Sequence, residues 1–322
     1  MFVFLIRAEI KSAFKGNIMR KPTSVGIHIP SVAVDGLEDG LRYGRFFQEV
    51  EALGFDAIWV EDRIFHPAPL ADAVVLLSWA AANTARLQLG TSVMVLNLRQ
   101  APMVARQIAT LQHLSGGRLN LGISLGGTPA EYQALGVPFD RRVGVFRESL
   151  QILRALLSGT STDHQGTYFD LQQAIIAPAA PTPILIGGIA DAAVRRAGEL
   201  GEGWIMAPFG SLDDFARGRD LAREGAAAAG KNPDDLIYGR LLYAAVDNDR
   251  EKARQAIGKF LHGYYGPDYD VDNIAIFGPA EEVGARLRAQ VDAGISHLML
   301  AVPSLDSDHL RCLAEDVMPV LR

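Results

Sequence analysis

The sequence predicts an α/β fold of the (β/α)8 TIM-barrel type, with an excursion after the fourth strand. Three observations carry this prediction. From Val25 to the carboxyl end, short apolar β-branched runs alternate with amphipathic stretches of helical period, the rhythm of repeated βαβ units. Several of these runs end in small residues, most clearly at Gly126-Gly127 and Gly187-Gly188, as strands do when they carry a ligand at their carboxyl ends. The length, 322 residues, suits one barrel with insertions. A doubly wound sheet shares the alternation, because periodicity does not report closure.

Taken in order, Val25 to Ile29 is a first strand closed by Pro30, and Leu41 to Leu53 is a helix with Phe46, Val50 and Leu53 on one face, ended by Gly54. Asp56 to Val60 is the second strand and runs into Glu61-Asp62-Arg63; Trp59, between Ile58 and Val60, is expected to fill the barrel or the helix layer. Leu70 to Ala82 is helical, with Asn83 as a cap. Leu87, Leu89, Val93 and Val95 mark the third strand, Pro102 the first turn of a helix, and Val104, Ile108 and Leu111 its buried stripe. Ser115-Gly116-Gly117 stops that helix, and Leu119 to Leu125 is the fourth strand. After a helix over Val143 to Leu157, Thr160 to Pro183 is polar and then proline-rich, which breaks the rhythm and reads as the excursion.

Ile184 to Ile186 is the fifth strand and Asp191 to Leu200 its helix; Gly203 to Met206 is the sixth, followed by a helix over Leu212 to Ala229. Leu236 to Val246 is the seventh, and Arg250 to Tyr264 is helical. Pro267 to Phe277 is irregular, Gly278-Pro279 opens a helix to Ala293, His297 to Val302 is the eighth strand, and Asp308 to Leu321 closes the chain. Residues 24–322 are expected to form one domain, preceded by an extension over 1–23. In that extension the apolar Phe2 to Ile6 comes before Arg7, Lys11, Lys15, Arg20 and Lys21, the reverse of a secretory signal, so a disordered or loosely packed extension is expected. Met19 is an alternative start to Met1.

Composition narrows the class. Thirty-one basic against 37 acidic residues give a net charge of −6, without a basic cluster, which argues against nucleic acid or an anionic membrane as the main partner. One cysteine, Cys312, excludes an intrachain disulfide framework and fits a reducing cytoplasm. The longest apolar run, Ala73 to Ala82, is interrupted by Ser78 and is half the roughly 20 residues a membrane span needs.

Chemistry in a parallel barrel sits just past the carboxyl ends of the strands. Those positions hold His28; Glu61, Asp62 and Arg63; Ser92, Asn97 and Arg99; Ser124, Gly126 and Gly127; Gly187 and Gly188; and Trp204 and Met206. Only His28 and Asp62 would qualify as metal ligands and no His-x-His pair occurs, so no metal site is expected. Gly187-Gly188 before a helix is either a phosphate seat, where backbone and helix amides reach the ligand, or an ordinary turn that needs positive φ; Gly126-Gly127 has the same two readings. Asp62 is either an acceptor for a ring N–H or, the preferred reading, a salt-bridge partner of Arg63. His28 is a pocket-wall histidine or a general base, and Met94 and Met206 are expected in the core.

Six runs go further: ALGFDAIWVEDR, LQLGTSV, ARQIATLQHLSGGRLNLGISLGG, EYQALGVPFDRR, PTPILIGG and GEGWIM. In order and spacing they resemble the luciferase-like monooxygenase family, which includes bacterial luciferase relatives and deazaflavin (F420) dependent reductases. The resemblance implies FMN or coenzyme F420 across the barrel mouth and a non-proline cis peptide in strand three, which GTSV places at Ser92-Val93. It assigns Ile186, Gly187 and Gly188 to the phosphate turn and Gly126 to backbone lying against the cofactor, with Asp62 near the ring. It further implies a flavin- or deazaflavin-dependent oxidoreductase or monooxygenase acting on a small organic substrate, a separate flavin or F420 reductase as partner, and a homodimer. Many deazaflavin-dependent members carry Asp-His after strand two. Here the pair is Asp62-Arg63, and an arginine stays protonated and cannot act as a base, which leaves His28, Asp62 and His66 as catalytic candidates. A non-catalytic flavin-binding protein on the same scaffold is the alternative; an unrelated barrel hydrolase or isomerase is disfavoured by the missing ligand set.

Overall fold

The computed structural model describes residues 23–29 and 32–322. Residues 1–22 of the 1–23 extension, the start at Met19 and the strand-closing role of Pro30 therefore lie outside the described residues. Eight parallel strands close on themselves: β1 (Ser24–Ile29), β2 (Ala57–Val60), β3 (Gln88–Thr91), β5 (Leu119–Ser124), β8 (Ile184–Gly187), β9 (Gly203–Met206), β10 (Ile237–Val246) and β12 (His297–Ala301), the last pairing back to β1. Closure, which periodicity left open, follows from the register of β12, whose Leu298 lies opposite both Val25 and Arg240. The helices between strands are α1 (Gly40–Ala52), α2 (Ala73–Asn83), α3 (Ala101–Leu114), α5 (Arg142–Leu157), α6 (Asp191–Leu200), α7 (Leu212–Ala228), α8 (Arg250–Tyr265) and α10 (Ala280–Asp292).

Two apolar layers result from the period-two alternation of each strand. Ile27, Ile58, Leu89, Leu121, Ile186 and Leu298 face the helices. Ala57, Trp59, Leu185, Ile205 and Met299 fill the barrel. Near Trp59 the interior is one large ring among glycines: a Cβ on Gly26 would stand 2.8 Å from the Trp59 ring, and one on Gly90 only 2.2 Å. Trp59 fills the barrel as expected. Burying such a ring contributes on the order of 5 kcal/mol, which compensates for strands weakened by glycine.

Several boundaries differ from expectation. The third run is two strands, β3 and β4 (Met94–Val95), separated by a cis peptide at Ser92-Val93. Helix α2 starts at Ala73 because the Asp72 carboxylate accepts hydrogen bonds from the amides of Val74 and Val75, and Asn83 is its last residue rather than its cap. The excursion contains an antiparallel hairpin of β6 (Thr162–Gln165) and β7 (Asp170–Ala174). The segment read as irregular, Pro267 to Phe277, holds a helical turn, α9 (Val271–Ile274), and β11 (Ala275–Gly278), which pairs with the far end of β10. Because β10 is long, its first half joins the barrel and its last four residues take β11 as a partner. A short helix after strand four, α4 (Pro129–Ala134), is a further element absent from the expectation. The chain closes on α11 (Ser307–Cys312), a π-helical turn and α12 (Met318–Leu321).

Candidate functional site

At the carboxyl ends of the strands lies a cleft of about 630 Å³, in the size range of small-molecule and cofactor sites. It brings together Asp62, Ser92, Val93, Gly126, Gly187 and Gly188. Its lining is mostly apolar and includes Ile205, Met206, Leu241, Phe209, Tyr264 and Tyr265. Met206 was expected in the core; it is buried and also lines the cleft.

One side of the cleft is backbone. The cis Ser92-Val93 peptide sets the Val93 side chain over Gly187, where an added Cβ would lie 3.1 Å from both Val93 methyls. Gly187 and Gly188 do not have positive φ, so the ordinary-turn reading fails there. The requirement is room: a Cβ on Gly188 would stand 2.7 Å from that of Ala193, in the first turn of α6. Gly126 and Gly127 do have positive φ, 39° and 72°, so that pair is explained by conformation as well as space. Tyr132 fixes this second turn by donating its hydroxyl to the Leu125 carbonyl at 2.7 Å. Thr128 and Glu131 form a capping box that starts α4 at the cleft edge. The Ser92 hydroxyl is buried at this wall and has no hydrogen-bond partner in the protein.

Asp62 supports the wall from behind. Its side chain has no exposed surface, and it binds Arg99 Nη2 at 2.7 Å and Arg99 Nε at 3.1 Å. It also accepts the Val95 amide at 3.2 Å, so it joins the end of β2 to β4. The salt bridge expected with Arg63 is therefore made with Arg99, which the 3₁₀ turn Leu96–Leu98 delivers to the correct side. Arg63 turns the other way. Its Nε donates to the Tyr264 hydroxyl at 3.0 Å, and its guanidinium carbon lies 5.2 Å from the centre of that ring. Tyr264 stands 4.3 Å from Tyr265, whose hydroxyl meets that of Tyr243 at 2.6 Å. Burial, reinforced by the Glu61 carboxylate, pushes the Tyr264 hydroxyl well above the ordinary phenol range.

The three catalytic candidates separate. His28 does not line the cleft; it is buried, its ring lies against the Ser92 backbone without a hydrogen bond of good geometry, and burial lowers its pKa to about 4. It is therefore neutral at physiological pH. His66 lines an outer depression and approaches the Tyr264 carbonyl at 3.3 Å. Asp62 lines the cleft but is committed to Arg99. Ile186 packs its side chain among the residues facing the helices, leaving the turn to Gly187 and Gly188. Sequence reasoning missed Thr128, Glu131, Phe209, Tyr264 and Tyr265. The TPAE capping pattern was a usable signal for the first two; nothing local to the sequence marks the aromatic three. Among the described residues no group of three or more His, Cys, Asp or Glu converges, and no helix is long and apolar enough to cross a membrane.

Comparison with known proteins agrees with the barrel fold. The profile of the luciferase-like monooxygenase family matches residues 30–273. The chain is 29% identical over 315 residues to the F420-dependent glucose-6-phosphate dehydrogenase of Kineococcus radiotolerans, covering 87% of this chain and 93% of that one. It is 30% identical over 286 residues to an uncharacterized protein of Mycobacterium bovis, covering 79% of this chain and 98% of the relative. In fold it is similar to an F420-dependent secondary alcohol dehydrogenase, with a TM-score of 0.82 at 23% identity over 93% of this chain and 99% of that one. The tetrahydromethanopterin reductase of Methanopyrus kandleri superposes with a TM-score of 0.77 at 20% identity, over the same shares of the two chains. From its sequence match and its barrel together, the chain belongs to the luciferase-like monooxygenase family.

Proposed function

We propose that this protein is a deazaflavin-dependent oxidoreductase that exchanges a hydride with a small organic substrate in the cleft described above. The observation that carries the reading is the convergence of a cis peptide and two glycine turns on one apolar cleft. The residues fit such a cofactor: Val93 offers an apolar ledge for a flat ring, Ser92 has a hydroxyl to spare, and Gly187-Gly188 leaves room at the start of α6 where a phosphate is favoured. The curated relatives named as F420-dependent favour the deazaflavin over FMN. When bound, that ring supplies a carbon that gives or takes hydride; the protein positions it and keeps water away.

In this reading Ser92, Val93 and Gly126 lie against the ring and Gly187 and Gly188 hold the phosphate, while Asp62 stiffens the wall through Arg99. Phe209, Tyr264 and Tyr265 face the substrate side. The sugar-phosphate substrate in the relatives' names is not carried over, because Arg63 stands where their histidine is expected. Residues 24–322 act as one domain, and a cytoplasmic setting suits a chain whose single cysteine is Cys312. A homodimer fits the same family reading.

Titration with F420 and with FMN, oxidised and reduced, followed by fluorescence, tests the reading. F420 is expected to bind below about 100 μM, roughly −5.5 kcal/mol, and more tightly than FMN. Binding of FMN alone would replace hydride exchange by a monooxygenase reading that needs a separate flavin reductase. Binding of neither would end both.

A further inference from the structure

The cleft holds a hydrogen-bonded pair, Arg63 and Tyr264. Arg63 donates Nε–H to the Tyr264 oxygen at 3.0 Å, and this occupies a lone pair of the phenol without using its proton. Both residues line the cleft, so the O–H of Tyr264 is left for a group bound there. The other cleft tyrosine, Tyr265, has its hydroxyl on Tyr243 at 2.6 Å. The Tyr264 ring is held on several sides. The Arg63 guanidinium carbon is 5.2 Å from its centre, the His66 ring 5.4 Å and the Tyr265 ring 4.3 Å. A donor fixed in this way aims at one point in the cleft rather than sweeping it.

We propose that Tyr264 is a catalytic residue that hydrogen-bonds to and protonates the substrate's oxygen, that Arg63 is a positioning residue for its hydroxyl, and that the substrate is therefore a ketone or aldehyde reduced to an alcohol. The proposal rests on the hydride-exchange reading above. The carbonyl carbon gains hydride from the reduced deazaflavin, the C=O π pair moves to oxygen, and that oxygen takes the Tyr264 proton. The substrate gains two electrons and the deazaflavin loses them. The phenolate left behind is held by the Arg63 N–H and its positive charge until water restores the proton. Burial and Glu61 keep the resting phenol protonated and oppose loss of its proton, and Arg63 acts in the other direction, favouring the phenolate. An arginine that cannot act as a base becomes useful once it stabilises a phenolate.

The probe is 4-(dimethylamino)cinnamaldehyde, whose absorption moves to longer wavelength when its carbonyl oxygen accepts a strong hydrogen bond. Wild type is expected to shift the band and to reduce the aldehyde with reduced F420. Tyr264→Phe is expected to lose the shift and about 100-fold in single-turnover rate, with F420 affinity within about 3-fold, so folding is verified in the same sample. Arg63→Met is expected to lose most of the shift and Arg63→Lys to recover part of it, which a merely structural arginine would not show. An unchanged shift or rate in Tyr264→Phe overturns the proposal. Wild type that binds F420 but neither shifts nor reduces the aldehyde overturns it while the hydride reading stands. Wild type that shifts the band but does not bind F420 overturns the hydride reading and leaves Tyr264 as the carbonyl donor.

Discussion

Between Ser92 and Gly188 the cleft wall contains a cis peptide and two glycine turns, with the short side chains of Ser92, Val93 and Ser124 between them. A second wall, made by Arg63, Phe209, Tyr264 and Tyr265, consists of long polar and aromatic side chains in contact with one another. Backbone offers amides and space that do not depend on residue identity beyond glycine, so it suits a ligand common to a family. Side chains can be exchanged without disturbing the barrel, so that wall suits recognition of a particular substrate. Asp62 joins the two, because it is adjacent in sequence to Arg63 yet bonded to Arg99 and Val95.

The largest expected effect concerns the barrel under both walls. His28 and His297 are buried and neutral, each with its pKa lowered by burial to about 4. The unfolded chain protonates such residues near pH 6.5. Stability is thus complete above about pH 6.5 and falls as pH drops from there toward 4, by up to about 2.7 kcal/mol per unit when both residues are in this window. Urea midpoints across pH 7 to 4 measure this, and replacing both with Gln should flatten the slope. If the walls share one support, cofactor binding and fold disappear together; binding lost at higher pH than the fold would mean that one wall titrates by itself.

Next comes the joint. Asp62→Ala leaves Arg99 with only Asp72, at 3.2 Å, and removes the acceptor for the Val95 amide. A loss of about 3 kcal/mol in stability is expected, at the lower end for a broken buried pair because Arg99 is partly exposed. Denaturant unfolding with unchanged slope would confirm it, and a change below about 1 kcal/mol would show that the walls do not depend on this joint.

The smallest energetic change contrasts the walls directly. Gly187→Asp places a Cβ against the Val93 methyls and a negative charge at the turn proposed to hold the phosphate. F420 affinity should fall at least about 100-fold, or ~2.7 kcal/mol. Phe209→Ala, on the other wall, should leave F420 affinity within about 3-fold while raising KM for the substrate. Equal effects of the two substitutions on cofactor affinity would remove the distinction between backbone and side-chain walls.

Legibility followed the same division. The cis bond was placed at Ser92-Val93 through the family resemblance of GTSV, and both glycine turns were visible because each is a local dipeptide. The pairing of Asp62 with Arg99 was not, since the nearer Arg63 satisfies the same charge rule and only the path of the chain through β4 selects between them. In the sequence Tyr264 is only the end of a helix; its part in the cleft depends on α8 bringing it to a residue 201 positions earlier in the chain. β11 was missed because a four-residue strand does not establish a period, and only the overhanging end of β10 reveals its partner.

The sequence by itself determined the alternating α/β class, the succession of its strands and the glycine turns, because hydrophobic period and glycine act within a few residues of themselves, and its longer motifs carried the family. Closure, the partner of Asp62 and the aromatic wall were decided only by tertiary structure. Each depends on distances between segments far apart in the chain, and local pattern does not encode which of several chemically equivalent partners a side chain will meet.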